Sequence, residues 1–190
     1  MPMSRCLELA FSATLLASPL AAQQPLSRDE AMIYTAPAIE GFPPEAVVQR
    51  VIADSSTLIY YDDILNGREP WPEVGDTATV LFFLQRSGQG RFLTTFLRYA
   101  ADPADMRHLS DWSAATAGLI ALADSVEARN RLIQIAGKSE SRMCRLTLAG
   151  MLEARNSVAA REILKMVDTT DFPPPELARL RAVLATPAKP

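Results

Sequence analysis

The sequence predicts an all-α protein whose C-terminal half is a tandem helical repeat. Apolar residues recur at helical spacing along most of the chain, and Gly, Pro and capping residues separate the segments. No two segments form a clear pair of strands, and one stretch recurs 32 residues later. Of the 190 residues, 48% are hydrophobic and 22% are charged, which is typical of a folded globular chain. This length is enough for one domain with a substantial core.

The first 22 residues have the pattern of a secretory signal peptide. Arg5 precedes a short apolar run at residues 9–17, and Pro19 and Ala21-Ala22 follow it. We expect cleavage near Ala22 and export to the periplasm or the extracellular space; an uncleaved anchor or an ordinary N-terminal helix is the alternative. No later stretch is apolar and long enough for a transmembrane segment. Cleavage would leave Cys144 as a single thiol, which we expect to be buried and unreactive.

Residues 23–109 are predicted to form a less regular helical region that is rich in aromatic residues. Ser27 and Glu30 have the spacing of a capping box, and Pro44 suits the start of the next helix. The segment 58–65 fits either a helix or a strand, and we favour the helix because no second strand is available. Residues 76–100 contain two helices joined by a glycine turn, in poor register with the later repeat.

Residues 110–190 carry the repeat, with helices predicted at 111–123, 126–136, 141–153, 157–167 and 174–184. Residues 117–129 match residues 149–161 in their small residues, apolar pairs, Ser-Val and Ala-Arg. A fixed period of this length built from helix pairs is typical of an α-solenoid. Gly118 and Gly150 are equivalent, and we expect both to mark close helix contacts. Gly137 should end a helix, and Ser110, Ser125 and Asn156 should cap helices.

Residues 110–184 resemble the short bacterial HEAT-like repeats in helix–turn–helix length, in the turn positions Asp124 and Asn156, and in the segment 164–168. The proline and the Val-Arg pair typical of the first helix in that family are absent. A helical array of another kind is therefore the alternative interpretation. The resemblance implies an extended surface for protein partners. We expect no cofactor.

The charge is unevenly distributed, with a net charge of −3 and a pI near 5.3. Residues 23–124 hold 7 basic and 14 acidic residues, whereas residues 125–190 hold 11 basic and 7 acidic residues. The overall acidity argues against a nucleic-acid partner.

Arg129 and Arg161 occupy the same position in successive repeats, and Lys165 lies four residues after Arg161. These three residues predict a row of basic side chains, a basic ladder, that would bind an acidic partner. In the alternative, each arginine pairs locally with an acid such as Asp124 or Glu162.

Catalytic and metal-binding patterns are weak. His108 is the one histidine, so a zinc site with several histidines is excluded and a Ser-His-Asp triad would depend wholly on His108. Asp62 and Asp63, near Glu69, are the best acid–base candidates, although adjacent acids on a helix point about 100° apart.

Trp71, in a proline-flanked loop, either covers the edge of the core or anchors a partner.

These patterns favour an exported, non-enzymatic scaffold or protein-binding module. The rival hypothesis is an enzyme or small-ligand carrier. It would have a pocket between the aromatic-rich half and the repeat, using Asp62, Asp63 or His108.

Overall fold

The computed structural model describes residues 25–36, 43–101, 109–138 and 141–187. Over these ranges the protein is all-α, with ten α-helices, one 3₁₀ turn and no strand. The helices are α1 (Arg28–Ile33), α2 (Glu45–Ala53), α3 (Ser55–Leu65), α4 (Thr77–Ser87), α5 (Leu93–Tyr99), α6 (Leu109–Ala121), α7 (Val126–Lys138), α8 (Arg142–Arg155), α9 (Val158–Leu164) and α10 (Pro174–Ala185). The all-α prediction is confirmed, and the ambiguous segment 58–65 lies within α3. Within the described ranges, no helix has the length and apolar character needed to cross a bilayer.

Short-range capping determines where many of these helices begin. The capping box at Ser27 is present, with the side chain of Glu30 accepting from the Ser27 amide. Asp54 caps α3 and Asp76 caps α4, each through its carboxylate. In the repeat, Ser141 caps α8 and Ser157 caps α9. These side chains satisfy amides that the first helical turn leaves unpaired.

Three predicted helix ends are wrong. Asn156 ends α8 in the left-handed conformation, with φ of 49°, and Ser157 is the residue that caps α9. Gly137 lies inside α7, and Ser110 lies inside α6. The second of the two helices predicted within residues 76–100 begins as a 3₁₀ turn at Gly90–Phe92 and continues as α5.

The helices pack in two rows. In the first row α2, α4, α6, α8 and α10 contact one another in that order. In the second row α5 contacts α7, and α7 contacts α9. Helix α6 lies at the centre, where it makes its largest contact with α4 and also packs against α5, α7 and α8.

Three hydrogen bonds are accepted by carbonyl groups at or near the C-terminal ends of α3, α5 and α7, and we call them the carbonyl ties. Tyr99 Oη donates to the carbonyl of Leu65 at 3.0 Å across 34 residues. Arg131 Nη2 donates to the carbonyl of Ala100 at 2.9 Å across 31 residues. The amide of Asp168 donates to the carbonyl of Ala136 at 3.0 Å across 32 residues. Each tie therefore spans about one repeat; the first lies before the repeat that the sequence shows, and the second joins α5 to the first helix pair of that repeat.

A continuous apolar core runs along both rows, from Leu26 to Leu180. The aromatic side chains are concentrated in its N-terminal part, where Tyr61, Phe83, Phe96 and Trp112 are each 1% exposed or less. Cys144 is buried and free, as the sequence predicts. A single core over this length explains how short helices such as α5 and α9 persist, since isolated helices of that length are unstable in water.

The two repeat glycines differ. A Cβ atom on Gly118 would lie 2.6 Å from the ring of Phe96, so this glycine permits a close helix contact. A Cβ atom on Gly150 would have no neighbour within 4 Å. The prediction of equivalent contacts is therefore confirmed for Gly118 and wrong for Gly150.

Candidate functional site

Two exposed valines mark the surface at the turns of the repeat. Val126 begins α7 and is 70% exposed, and Val158, one period later, begins α9 and is 62% exposed. A groove of about 230 Å³ lies between the two turns, lined by Ile120, Ala121, Ala123, Asp124, Arg155, Ser157, Val158 and Ala159. We call the two valines and this groove the turn surface. Its lining combines apolar side chains with one charge of each sign.

Helix geometry places both valines outside the core. Two residues after each valine comes a fully buried alanine, Ala128 or Ala160. Positions two apart on a helix point in nearly opposite directions, so the valines face solvent. Valine is a poorer helix former than alanine or leucine, so helix propensity does not account for an exposed valine at the same place twice. The recurring Ser-Val pair is the sequence signal for this surface, but it does not reveal the exposure.

The basic ladder is not present as predicted, because Arg161 is used internally. Its side chain donates to Asn156 Oδ1 at 2.6 Å, to the Val183 carbonyl at 2.6 Å and to Thr186 Oγ1 at 3.0 Å. It also donates to the Thr186 carbonyl. Arg161 is 8% exposed and holds the C-terminal end of α10, so it is not available to a partner.

Arg129 and Lys165 remain at the surface. Arg129 forms an ion pair with Glu162, and the two side chains are 42% and 46% exposed. This is the local pairing that the alternative interpretation of the arginines predicts. Lys165 is exposed at the end of α9.

The candidate acids form a network of ion pairs in the N-terminal half. Arg68 contacts Asp62 Oδ2 and Asp63 Oδ1, each at 2.6 Å, and Thr95 Oγ1 donates to Asp62. Glu69 pairs with Arg28. Among the residues that the structure describes, no three His, Cys, Asp or Glu side chains converge to hold a metal ion. The acids are thus already bound by arginines and are not arranged as a dyad.

Trp71 and His108 complete the predicted candidates. Trp71 is 42% exposed, and its ring lies against the backbone of Gly75, where a Cβ atom would be 2.8 Å away. It therefore packs on its own loop and leaves one part of the ring in solvent. His108 lies outside the described residues.

A second cavity, of about 290 Å³, lies between α1 and α3. Its lining includes Arg28, Tyr60, Asp63 and Glu69, with Leu26, Ala31 and Ile59 as apolar walls and Ser56 and Thr57 as hydroxyls. The cavity that includes Asp63 is therefore bounded within the N-terminal half. It is a different place from the predicted pocket between the halves.

Buried contacts hold α1 as one wall of this cavity. Tyr61 Oη donates to the carbonyl of Ala31 at 2.8 Å, and burial raises the pKa of this phenol. The amide of Leu26 donates to Asp54 Oδ2 at 2.8 Å. Burial raises the pKa of Asp54, but hydrogen bonds from Ser56, the Leu26 amide and Thr57 outweigh it and lower this pKa to about 2.

Neither a protein-family profile, nor a curated protein, nor a solved structure matches this chain.

Proposed function

We propose that the protein is an exported, non-enzymatic binding module, built as one HEAT-like array of helix pairs whose turn surface holds a segment of a protein partner. The array would comprise the pairs α2–α3, α4–α5, α6–α7 and α8–α9, with α10 closing one end. The packing of alternate helices in two rows supports this architecture. The observation that carries the function is the exposure of valine at the same place in successive pairs.

The carbonyl ties support a common register for the four pairs. In a helical array each pair contacts its neighbours at a constant sequence offset. The ties, at offsets of 34, 31 and 32 residues, connect α3 to α5, α5 to α7, and α7 to the segment after α9. The pair α4–α5 belongs to this series, although the sequence shows no clear repeat there.

The spacing of the turn surface favours a helical partner segment. Neighbouring packed helices lie about 8–10 Å apart, so the two valines should be separated by about that distance. An α-helix rises about 1.5 Å per residue, so apolar side chains at positions i and i+7 are about 10 Å apart. An amphipathic helix could therefore place one apolar side chain beside each valine, and Asp124 and Arg155 would pair with its flanking charges.

Site-specific photo-crosslinking tests this proposal. A photoreactive amino acid at position 158, in the full chain expressed with residues 1–22, should yield one crosslinked protein in envelope extracts. The crosslinked peptide should form an amphipathic helix. The variant Val126→Lys/Val158→Lys should then lower affinity for that peptide at least tenfold while leaving the melting temperature unchanged.

Val74→Lys is the matched control, because Val74 is also 62% exposed but lies in the loop before α4. It should leave affinity unchanged. Equal loss of binding in the control, or an undiminished affinity in the double lysine variant, would contradict the proposal.

A further inference from the structure

The cavity between α1 and α3 already contains a guanidinium group that comes from the protein itself. The Cζ atom of Arg28 lies 4.8 Å from the centre of the Tyr60 ring, and its Nη2 atom pairs with Glu69 Oε2. Stacking on an aromatic face and pairing with a carboxylate at its edge are the two contacts that best recognise a guanidinium group. Both contact residues line the cavity.

We infer that this cavity is a binding site for a guanidinium-bearing ligand, either a small molecule or an arginine side chain, and that Arg28 is its displaceable internal occupant. The ligand would stack on Tyr60 and pair with Glu69, while Leu26, Ala31 and Ile59 contact its alkyl chain.

Charge favours a cation over an anion here. Asp63 and Glu69 line the cavity together with Arg28. Arg68 binds Asp62 and Asp63 at once. Together these two arginines and three carboxylates carry a net charge of −1, so the cavity attracts a cation and not an anion. The volume of about 290 Å³ is at the lower limit for small-molecule sites, which suits one side chain or a compact ligand.

Arg28 can leave without releasing α1. Its side chain is 57% exposed and that of Glu69 is 33% exposed, and exposed ion pairs are weak. The hydrogen bonds from Tyr61 to Ala31 and from Leu26 to Asp54 hold α1 by other atoms. A ligand therefore competes only with the side chain of Arg28.

Calorimetric titration of the full chain with ethylguanidinium, and separately with the peptide acetyl-Gly-Arg-Gly-amide, tests this inference. The wild-type chain should bind at least one of the two probes. Binding of ethylguanidinium alone would indicate a small-molecule ligand, whereas tighter binding of the peptide would indicate an arginine on a polypeptide. Arg28→Ala should tighten binding roughly fivefold, because the internal competitor is gone. In the Arg28→Ala background, Glu69→Gln should weaken binding roughly fivefold, because the ligand then loses its carboxylate partner.

Arg50→Ala is the matched control. It removes the ion pair between Arg50 and Glu30 of α1 but no group that lines the cavity, so affinity should not change. Equal tightening in Arg50→Ala would show that a loosened α1, rather than removal of a competitor, exposes the site. That result, or no binding of either probe to the wild-type chain, would overturn the inference. The turn surface plays no part in this titration, so its outcome is independent of the proposed function.

Discussion

The two copies of the repeat, α6–α7 and α8–α9, share a sequence pattern but differ in what surrounds them. Gly118 of the first copy faces the ring of Phe96, whereas a Cβ atom on Gly150 of the second copy would meet nothing within 4 Å. The residue one period after Phe96 is Ala128, which has no ring to require a glycine opposite it. A repeated residue therefore keeps its structural role only where its neighbour is repeated too.

The arginines of the two copies differ for a related reason. Arg129 meets the side chain of Glu162 in the next pair. Arg161, in α9, instead holds the carbonyl groups of Val183 and Thr186 at the end of α10. The same position thus forms an exposed ion pair in α7 and buried contacts with the end of α10 in α9.

The largest expected effect follows from the two glycines. Gly118→Leu should lower the free energy of unfolding by about 3 kcal/mol, because its first added carbon already overlaps Phe96 and the core there is closely packed. Gly150→Leu should change it by less than about 1 kcal/mol. Urea unfolding of both variants measures the difference. Equal losses would show that the two glycines have equivalent contacts after all.

The arginines should differ by a smaller amount. Arg161→Ala should cost about 2 kcal/mol, since it leaves carbonyl groups at the end of α10 without their charged donor. Arg129→Ala should cost less than about 1 kcal/mol, because both members of its ion pair are over 40% exposed. Thermal and urea unfolding of the two variants provide the test, and a cost for Arg129 equal to that for Arg161 would contradict it.

Gly150→Ala should stabilise the protein by about 1 kcal/mol. The position lies inside α8 with open space around it. Alanine is the better helix former, and its added methyl group would not clash with any neighbour. Gly118→Ala is the matched variant and should destabilise. A rise in the urea midpoint for the first and a fall for the second would confirm the comparison; two shifts of the same sign would contradict it.

The smallest effect concerns helix caps in the two halves. Asp54 caps α3 with a pKa of about 2 against an ordinary 3.8, whereas Ser157 caps α9 with a group that does not titrate. Because the folded-state pKa is lowered, the contribution of Asp54 is complete above about pH 4 and is lost as the pH falls towards 2. Asp54→Asn should therefore reduce the fall in stability between pH 5 and 2.

Ser157→Ala serves as the comparison for the pH series. It should lower stability by the same amount at every pH, because no charge is involved. Urea midpoints measured across this range distinguish the two caps. An unchanged pH dependence in Asp54→Asn would show that other carboxylates cause the acid sensitivity.

Much of the helix content could be predicted from the sequence because its causes are local. Ser27, Asp76 and the proline-rich loops fix helix boundaries within a few residues of themselves. The role of Gly150 could not be predicted, because it depends on a residue in another helix. The burial of Arg161 depends on where the chain places Thr186, 25 residues later. The cavity between α1 and α3 was missed for the same reason, since Arg28 and Glu69 are 41 residues apart.

Spin-label distances test the central claim, one array with a common register, most directly. Thr94, Val126 and Val158 are one period apart and all exposed, at or near the starts of α5, α7 and α9. Labels at 94 and 158, in a chain with Cys6 and Cys144 replaced by alanine, should give a single narrow distance of about 20 Å, twice the helix packing distance. Labels at 126 and 158 should give about half that value. A distance above about 30 Å between 94 and 158, or a broad distribution, would contradict a continuous array.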